Sequence, residues 1–505
     1  MFGLEYLLDA LSPLNLGLAL MGVVAGTVVG ALPGLTATMA VAILVPITFT
    51  MSPVAALIVM GAVYTGAIYG GAYSAILLNT PGTPSAIATT FDGYPMARRG
   101  DGNLAISLAC IASVVGGIIG SMALLTISPY LAGVAMAFGP AEYFWLAVLG
   151  LTLIAALSKG NLLKGIIAGC FGLLLSTIGV AEISADVRFT FGIPALLGGI
   201  AIIPALIGLY CIPVLIDLIA TPEKHLNVSR DSSGFRFWEA VGKSLKKPLN
   251  VIRSSILGTV VGILPGAGGS IASLVAYAEA RRTSKSPETF GKGNPEGIVA
   301  TESANNATVG GGLVPTFVLG IPGTPPDAII LGALMIQGMK PGPSLYTDQP
   351  AVVYTFVWGL LLATLLMLPT GLVVGRYAYR AIISVPKAFL VPAVAVMTMI
   401  GTYAVRNSVS DMLVMLVLGV IGWVFNRYGY SQSSIVLGLI LGRIAEQGFV
   451  QTWIIGTAKG NPVAELVSRP ISMGIIAFIV ISFALPVIKK RIRINREISY
   501  ANGQE

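Results

Sequence analysis

Charge is what this 505-residue chain has least of: Asp, Glu, Lys and Arg together make up 10% of it, against roughly 25% in a soluble domain. None of them, and no histidine, occurs between Ala10 and Phe91, a stretch able to cross a bilayer more than once at roughly 20 residues per helix. A water-soluble globular fold is excluded. With 55% hydrophobic residues and a mean hydropathy of +0.86, the composition is that of a polytopic all-α membrane protein. The single histidine, His225, stands in a charged loop. Cys110, Cys170 and Cys211 are scattered through apolar runs without CxxC or Cys/His spacing, so a metal centre or a disulfide framework has no support. They read as small buried hydrophobes. No GxSxG elbow and no GxxxxGK[ST] loop is present, which argues against an intramembrane hydrolase and against ATP as the energy source. The first apolar segment has no basic leader and no small-residue cleavage pattern, so a retained N-terminus is expected.

What the chain does have is a pattern of helix breakers said twice. Gly26-x3-Gly30-Ala31-Leu32-Pro33-Gly34 returns as Gly258-x3-Gly262-Ile263-Leu264-Pro265-Gly266, and Pro81-Gly82-Thr83-Pro84 returns as Pro322-Gly323-Thr324-Pro325. The offsets are 265 − 33 = 232 and 322 − 81 = 241 residues. Breaks at matching places in two halves are the best sequence pointer to a transporter's binding site.

Apolar runs divide the first half into 14–50, 53–90, 104–128, 141–157, 162–180 and 192–219. The second half reads 250–280, 297–336, 351–374, 388–404, 411–426 and 432–450, with a last helix at 471–488. The domains follow: a transmembrane repeat over 1–220, a cytoplasmic linker over 221–249, a second repeat over 250–465, and a terminal helix with a basic tail over 466–505. If each Leu-Pro-Gly segment is a re-entrant hairpin and each Pro-Gly-Thr-Pro segment a broken helix that crosses once, each half makes five net crossings. The second repeat is then inverted relative to the first. Basic residues give an independent check, because cytoplasmic loops carry the excess of Lys and Arg. With the linker and the tail Lys489–Arg496 inside, only Arg188, Lys340, Arg406, Arg443, Lys459 and Arg469 fall outside or in uncertain places, which leaves 30 − 6 = 24 of the basic residues in the cytoplasm. The N-terminus is expected in the periplasm and the C-terminus in the cytoplasm. The net charge of +8 reflects this orientation and contact with anionic lipid, and its dispersal over loops argues against nucleic acid.

Breaking a helix inside a membrane strands backbone N–H and C=O groups, which is tolerated only where protein or a water-filled cavity satisfies them. Half-helix N-termini suit a carboxylate and C-terminal carbonyls suit a cation. The breaks are flanked by hydroxyls and amides, so the candidate site comprises Pro33, Gly34 and Thr36; Asn79, Thr80, Gly82, Thr83 and Ser85; Pro265, Gly266 and Ser270; and Ser303, Asn305, Asn306, Gly323, Thr324 and Asp327. Asp327, ionisable beside a break, is the sharpest of these, with a helix N-cap as its competing reading. For Glu302 a functional role competes on equal terms with solvation at the cytoplasmic mouth. Arg443 and Glu446 are read as an i, i+3 ion pair. Tyr64, Tyr69 and Tyr73 are read as packing or interfacial residues.

Taken together, Gly30-Ala31-Leu32-Pro33-Gly34-Leu35-Thr36, Asn79-Thr80-Pro81-Gly82-Thr83-Pro84, Leu264-Pro265-Gly266-Ala267-Gly268 and Gly320-Ile321-Pro322-Gly323-Thr324-Pro325 resemble the signatures of the large membrane subunit of the tripartite tricarboxylate transporters. The resemblance covers nearly the whole chain. It implies a bacterial inner-membrane permease that imports carboxylates by secondary transport, without a cofactor and with Na⁺ or H⁺ as coupling ion. It also implies a small membrane subunit and a periplasmic solute-binding protein as partners, and leaves room for a homo-oligomer. The competing readings are a stand-alone transporter or exporter of another small solute and, from a different class, an intramembrane enzyme.

Overall fold

The computed structural model describes residues 3–157, 162–220, 236–378 and 385–481. His225, most of the linker and the basic tail lie outside them. In chain order the helices are α1 (Leu7–Ala10), α2 (Pro13–Ala31), α3 (Ala37–Thr48), α4 (Pro53–Leu78), α5 (Thr89–Arg98), α6 (Gly102–Ala135), α7 (Pro140–Leu157), α8 (Leu162–Ser176), α9 (Ile202–Ala220), α10 (Phe237–Leu245), α11 (Pro248–Ile263), α12 (Gly268–Thr283), α13 (Pro295–Leu319), α14 (Pro325–Ile336), α15 (Leu345–Asp348) and α16 (Pro350–Val373). Helices Lys387–Arg406, Val409–Arg427, Gln432–Ala458 and Pro462–Val467 follow. Among the described residues the only strands are Gly179–Val180 and Val187–Arg188, paired antiparallel. Eight of the described helices are long and apolar enough to cross a membrane. The fold is all-α and polytopic.

The starts of these helices are written locally. Proline occupies the first turn of α2, α4, α11, α13, α14 and α16, where its missing N–H costs nothing. Ser12, Thr36 and Ser52 cap α2, α3 and α4 through their hydroxyls, and Asn294 caps α13 through its amide oxygen. The run 192–219 is helical only from Ile202, because Pro194 sits in a 3₁₀ turn and Gly199 takes a left-handed φ of 71°. The run 162–180 likewise stops at Ser176 and passes into the strand pair.

The chain forms two compact units, residues 1–136 with 201–424, and residues 137–200 with 425–505. In the first, helices meet backbone to backbone through glycine. A Cβ on Gly26 would strike the carbonyl of Val63, and one on Gly30 that of Ala67; a Cβ on Gly258 would strike the carbonyl of Ala304, and one on Gly262 that of Thr308. Each pair in α2 and α4 thus reappears in α11 and α13, displaced by 232 residues on one helix and 241 on the other. The match continues to the ends of the helices, where Thr80 N–H donates to Ser74 O and Ile321 N–H to Pro315 O, both at 3.3 Å. Small residues let such helices approach closely enough for dispersion and weak polar contacts to hold them in an apolar solvent.

α13 is the polar exception among long helices. Glu302, Ser303, Asn305 and Asn306 are all wholly buried. Buried this way, their polar atoms need partners from neighbouring helices. α6 supplies the closest neighbour, with Gly116 and Gly120 pressed on the backbone of Ser303 and Ala307.

In the second unit, α8 meets the helix Gln432–Ala458 through Gly172 and Gly438, whose added Cβ atoms would strike the carbonyls of Ile435 and Gly169. Glu142, wholly buried in the first turn of α7, accepts from Gly139 N–H (2.8 Å) and Ser472 Oγ (2.7 Å) and pairs with Arg469 (3.0 Å). Cys110 and Cys211 are buried as expected; Cys170 is exposed on α8.

Asn79 closes α4 with a left-handed φ of 54°, and the equivalent position closing α13 is Gly320 at 69°. Such backbone costs an L-residue about 1–2 kcal/mol, with Asn and Gly best suited to it. Asn79→Gly is therefore expected to leave thermal stability in detergent unchanged or slightly raised, and Asn79→Val to lower it by about 1–2 kcal/mol. Equal melting temperatures for the two variants would show that the turn does not constrain residue 79.

Candidate functional site

Both broken helices end in the same way and restart differently. After Asn79 the chain turns back so that Gly82 N–H donates to Gly71 O at 3.3 Å, and a 3₁₀ turn, Pro84–Ala86, follows. After Gly320 it restarts as the full helix α14, whose N-cap is Thr324. Gly82 rests on the carbonyl of Gly30, and Gly323 on that of Gly262. Each Pro-Gly-Thr-Pro break is thereby held against the end of the first arm of the hairpin preceding it.

The second hairpin tip touches both breaks. Gly266 N–H donates to Gly323 O (2.8 Å) at the second break, while Ser273 Oγ donates to Ser85 O (2.9 Å) at the first. A Cβ placed on Gly269 would lie 2.5 Å from Asn305 Oδ1, 2.9 Å from Ser85 Cβ and 3.4 Å from Thr308 Oγ1. At the first break Thr83 and Ser85 share a hydroxyl hydrogen bond of 3.0 Å. At the second, Thr324 Oγ1 donates to Asp327 Oδ2 (2.6 Å) and lies 2.8 Å from Tyr64 Oη.

Several of these buried groups lack protein partners. Both amide atoms of Asn305, Oδ1 of Asn306 and Oδ1 of Asp327 have none, and all three residues are wholly buried. An unsatisfied buried polar atom costs about 1–3 kcal/mol. Unpartnered buried groups beside helix breaks are expected where a site is kept for a ligand rather than for stability. The oxygens are neutral or carboxylate donors, suited to a hard cation; the Asn305 amide group and the uncapped first turn of α12 offer N–H donors to an anion.

The other expected site residues are placed as follows. Thr83, Ser85, Pro265, Gly82, Gly323 and Thr324 are buried at the breaks, and Gly266 and Ser270 are half-buried at the second tip. Ser303 spends its hydroxyl on Val299 O and Ala300 O within α13. Asn306 is anchored through Nδ2 to Thr65, at 3.2 Å from both its carbonyl and its hydroxyl. In the first tip Thr36 caps α3, Pro33 is half-buried, and Gly34 is exposed with a φ of 92°. Asn79 and Thr80 are exposed, and the Thr80 hydroxyl returns to Leu78 O.

Three expectations are corrected. Glu302 is not at a solvated mouth: it is wholly buried, with Thr89 Oγ1 on one carboxylate oxygen and Ser113 Oγ on the other at 3.1 Å. Asp327 is not the N-cap of α14, a position Thr324 holds; it is the third residue of the helix and accepts the Thr324 hydroxyl. Glu446 does not pair with Arg443. Arg188, brought in by the strand pair, grips it with two parallel bonds of 2.8 and 3.0 Å, the bidentate fork in which a guanidinium binds a carboxylate most strongly. Tyr69 and Tyr73 are buried and bonded to each other at 2.9 Å, while Tyr64, also buried, reaches the Thr324 hydroxyl at the second break. Tyr64, and Thr308 from the polar run preceding the second break, stand beside the candidate residues without being among them.

A multi-pass membrane protein whose two broken helices and second hairpin tip meet at buried, unpartnered polar groups is organised as a solute transporter is. Comparison with known proteins supplies the family. The model of the tripartite tricarboxylate transporter TctA family matches residues 16–437, and the chain belongs to that family. It is 36% identical over 470 residues, 93% of this chain and 92% of the relative, to an uncharacterized 52.8 kDa protein in the TAR-I ttuC' 3' region of Agrobacterium vitis. A second uncharacterized protein, in the TAR-II ttuC' 3' region of the same organism, is 33% identical over 238 residues, 46% of this chain and 96% of the relative. No solved structure matches the chain.

Proposed function

We propose that the chain is the large permease subunit of a secondary transporter that imports tricarboxylates or related carboxylates across the bacterial inner membrane by alternating access, coupled to Na⁺ or H⁺. In this reading a periplasmic binding protein delivers the anion and a small membrane subunit completes the complex. The two halves act as inverted repeats, with the N-terminus in the periplasm and the C-terminus in the cytoplasm. The observation that carries the reading is the contact of the second tip with both breaks, beside the unpartnered polar atoms of Asn305 at one and Asp327 at the other, within a chain of this family. The paired glycine contacts support the repeats. Uptake and not catalysis is the expected activity.

The test is uptake of labelled carboxylates by proteoliposomes holding the complex and its binding protein, with and without an imposed Na⁺ or proton gradient. Uptake should depend on a gradient and on the binding protein. Transport by the large subunit alone would favour a stand-alone carrier. Thr324→Ala, which removes the hydroxyl between Tyr64 and Asp327, should lower the rate by about tenfold, the scale of a lost hydrogen bond to a charged group.

A further inference from the structure

Five acids are buried among the described residues, Asp92, Glu142, Glu302, Asp327 and Asp411, and they differ in what holds them. Asp92 accepts from the N–H groups of Gly293 (2.8 Å) and Asn294 (2.7 Å) and from the Tyr277 hydroxyl (2.9 Å). Glu142 pairs with Arg469, and Asp411 with Arg406. Asp327 keeps one oxygen open. Glu302 is unlike all four. Both its oxygens are occupied, Oε1 by Thr89 Oγ1 and Oε2 by Ser113 Oγ at 3.1 Å, and a hydroxyl can donate or accept where an N–H can only donate.

Among the described residues Glu302 pairs with no cation. Titratable groups on the helices packed around it are turned to other partners. Cys110 on α6 points its thiol at the carbonyls of Met367 and Leu368, and Tyr69 and Tyr73 on α4 bond each other. Arg253 on α11 reaches Asn250 and Thr283, and Glu279 on α12 lies against Arg253 and Arg282. A buried acid without a counter-charge is costly in a membrane and marks a proton or ion pathway.

The surroundings of Glu302 satisfy it with or without a proton. When it is ionised, Thr89 and Ser113 donate to its two oxygens. When Oε1 is protonated, its O–H donates to Thr89 Oγ1, and the Thr89 O–H swings to Thr301 Oγ1, 3.2 Å away, whose own proton stays on Ile298 O at 3.0 Å. One hydroxyl rotation separates the two states. A hard cation fits less well, since it collects about six oxygens and Glu302 meets two hydroxyls. Thr89 also ties the acid to the candidate site. It opens α5, the helix that follows the first break and its 3₁₀ turn Pro84–Ala86, where the second hairpin tip holds Ser85 O.

We propose that Glu302 carries the coupling proton, bound and released as the first break carries Thr89 with respect to α13. The inference rests on the secondary-transport reading above and names both the ion, H⁺, and the residue that takes it. Only an O–H bond forms and breaks. Thr301 is a positioning residue that receives the Thr89 hydroxyl in the protonated state.

Two measurements test this. Infrared difference spectra of the purified protein between about pH 5 and about pH 9 read protonated carboxylic acids without any solute. A C=O band lost at the higher pH is expected in the wild type and in Asp327→Asn, absent from Glu302→Gln, and changed in frequency in Thr301→Val. The glutamine stands in for the protonated acid, so the fold and its melting temperature should hold. A difference spectrum that Glu302→Gln leaves unchanged would overturn the proposal. In proteoliposomes holding the complex and its binding protein, a proton gradient should speed citrate uptake about tenfold in the wild type and less than about twofold in Glu302→Gln. A structural role alone would lower uptake with and without the gradient alike, and an unchanged ratio would overturn the assignment, as would wild-type uptake that follows Na⁺ alone. If the wild type moved neither citrate, succinate nor malonate, the carboxylate reading would fall while the infrared band still decided whether Glu302 holds a proton.

Discussion

Gly310→Ala is expected to lose about 3 kcal/mol or more of stability, enough to abolish a monodisperse peak after detergent extraction. Adding a methyl group to a packed interior usually costs about 1–3 kcal/mol, because neighbouring side chains can move aside. Here nothing can. The new Cβ would run into the backbone carbonyl of Gly120 and come within 2.6 Å of Ser121 N, so α6 and α13 would have to separate along their length. That contact holds the polar face of α13 away from lipid, and opening it would also disturb the bond from Ser113 on α6 to Glu302. Gly133→Ala is the control, a glycine on the facing helix α6 with open space around its Cβ position. It should extract and elute like the wild type, and equal behaviour of the two variants would contradict the close packing of α6 on α13.

The second large effect is functional. Asp327→Asn should leave the fold intact and lower uptake by about a hundredfold, the scale on which buried charge contacts are lost. An asparagine can still accept from Thr324, so the hydrogen bond at Oδ2 is largely kept. What it removes is the negative charge and a carboxylate oxygen that has no partner in the protein. A coupling cation or proton would interact with that oxygen. Uptake and melting temperature measured together decide the matter: a variant that melts like the wild type and transports at half its rate or better would make Asp327 a structural acceptor for Thr324 and nothing more.

The sequence made the breaks, their duplication and Asp327 legible, because proline and glycine act locally and an acid in an apolar run stands out. It did not make Tyr64 legible. Three tyrosines at helical spacing look alike until one of them meets a threonine 260 residues away. Glu302 was misplaced for a similar reason: the hydroxyls that let it stay buried come from Thr89 and Ser113, 213 and 189 residues distant. Arg443 and Glu446 show the opposite error, where a short-range pattern suggested a pair and the fold supplied a better partner in Arg188. Local chemistry was readable, and selection among alternative long-range partners was not.

Thr65 and Asn306 are 241 residues apart, the same interval that relates the two Pro-Gly-Thr-Pro motifs, so each is the other's twin as well as its hydrogen-bonding partner. In a dimer of identical halves such a position would face its own copy, and the residue there would have to be compatible with itself. A single chain carries no such obligation. By holding both halves in one polypeptide it can set a hydroxyl on one side and an amide on the other, so that one position donates where its twin accepts.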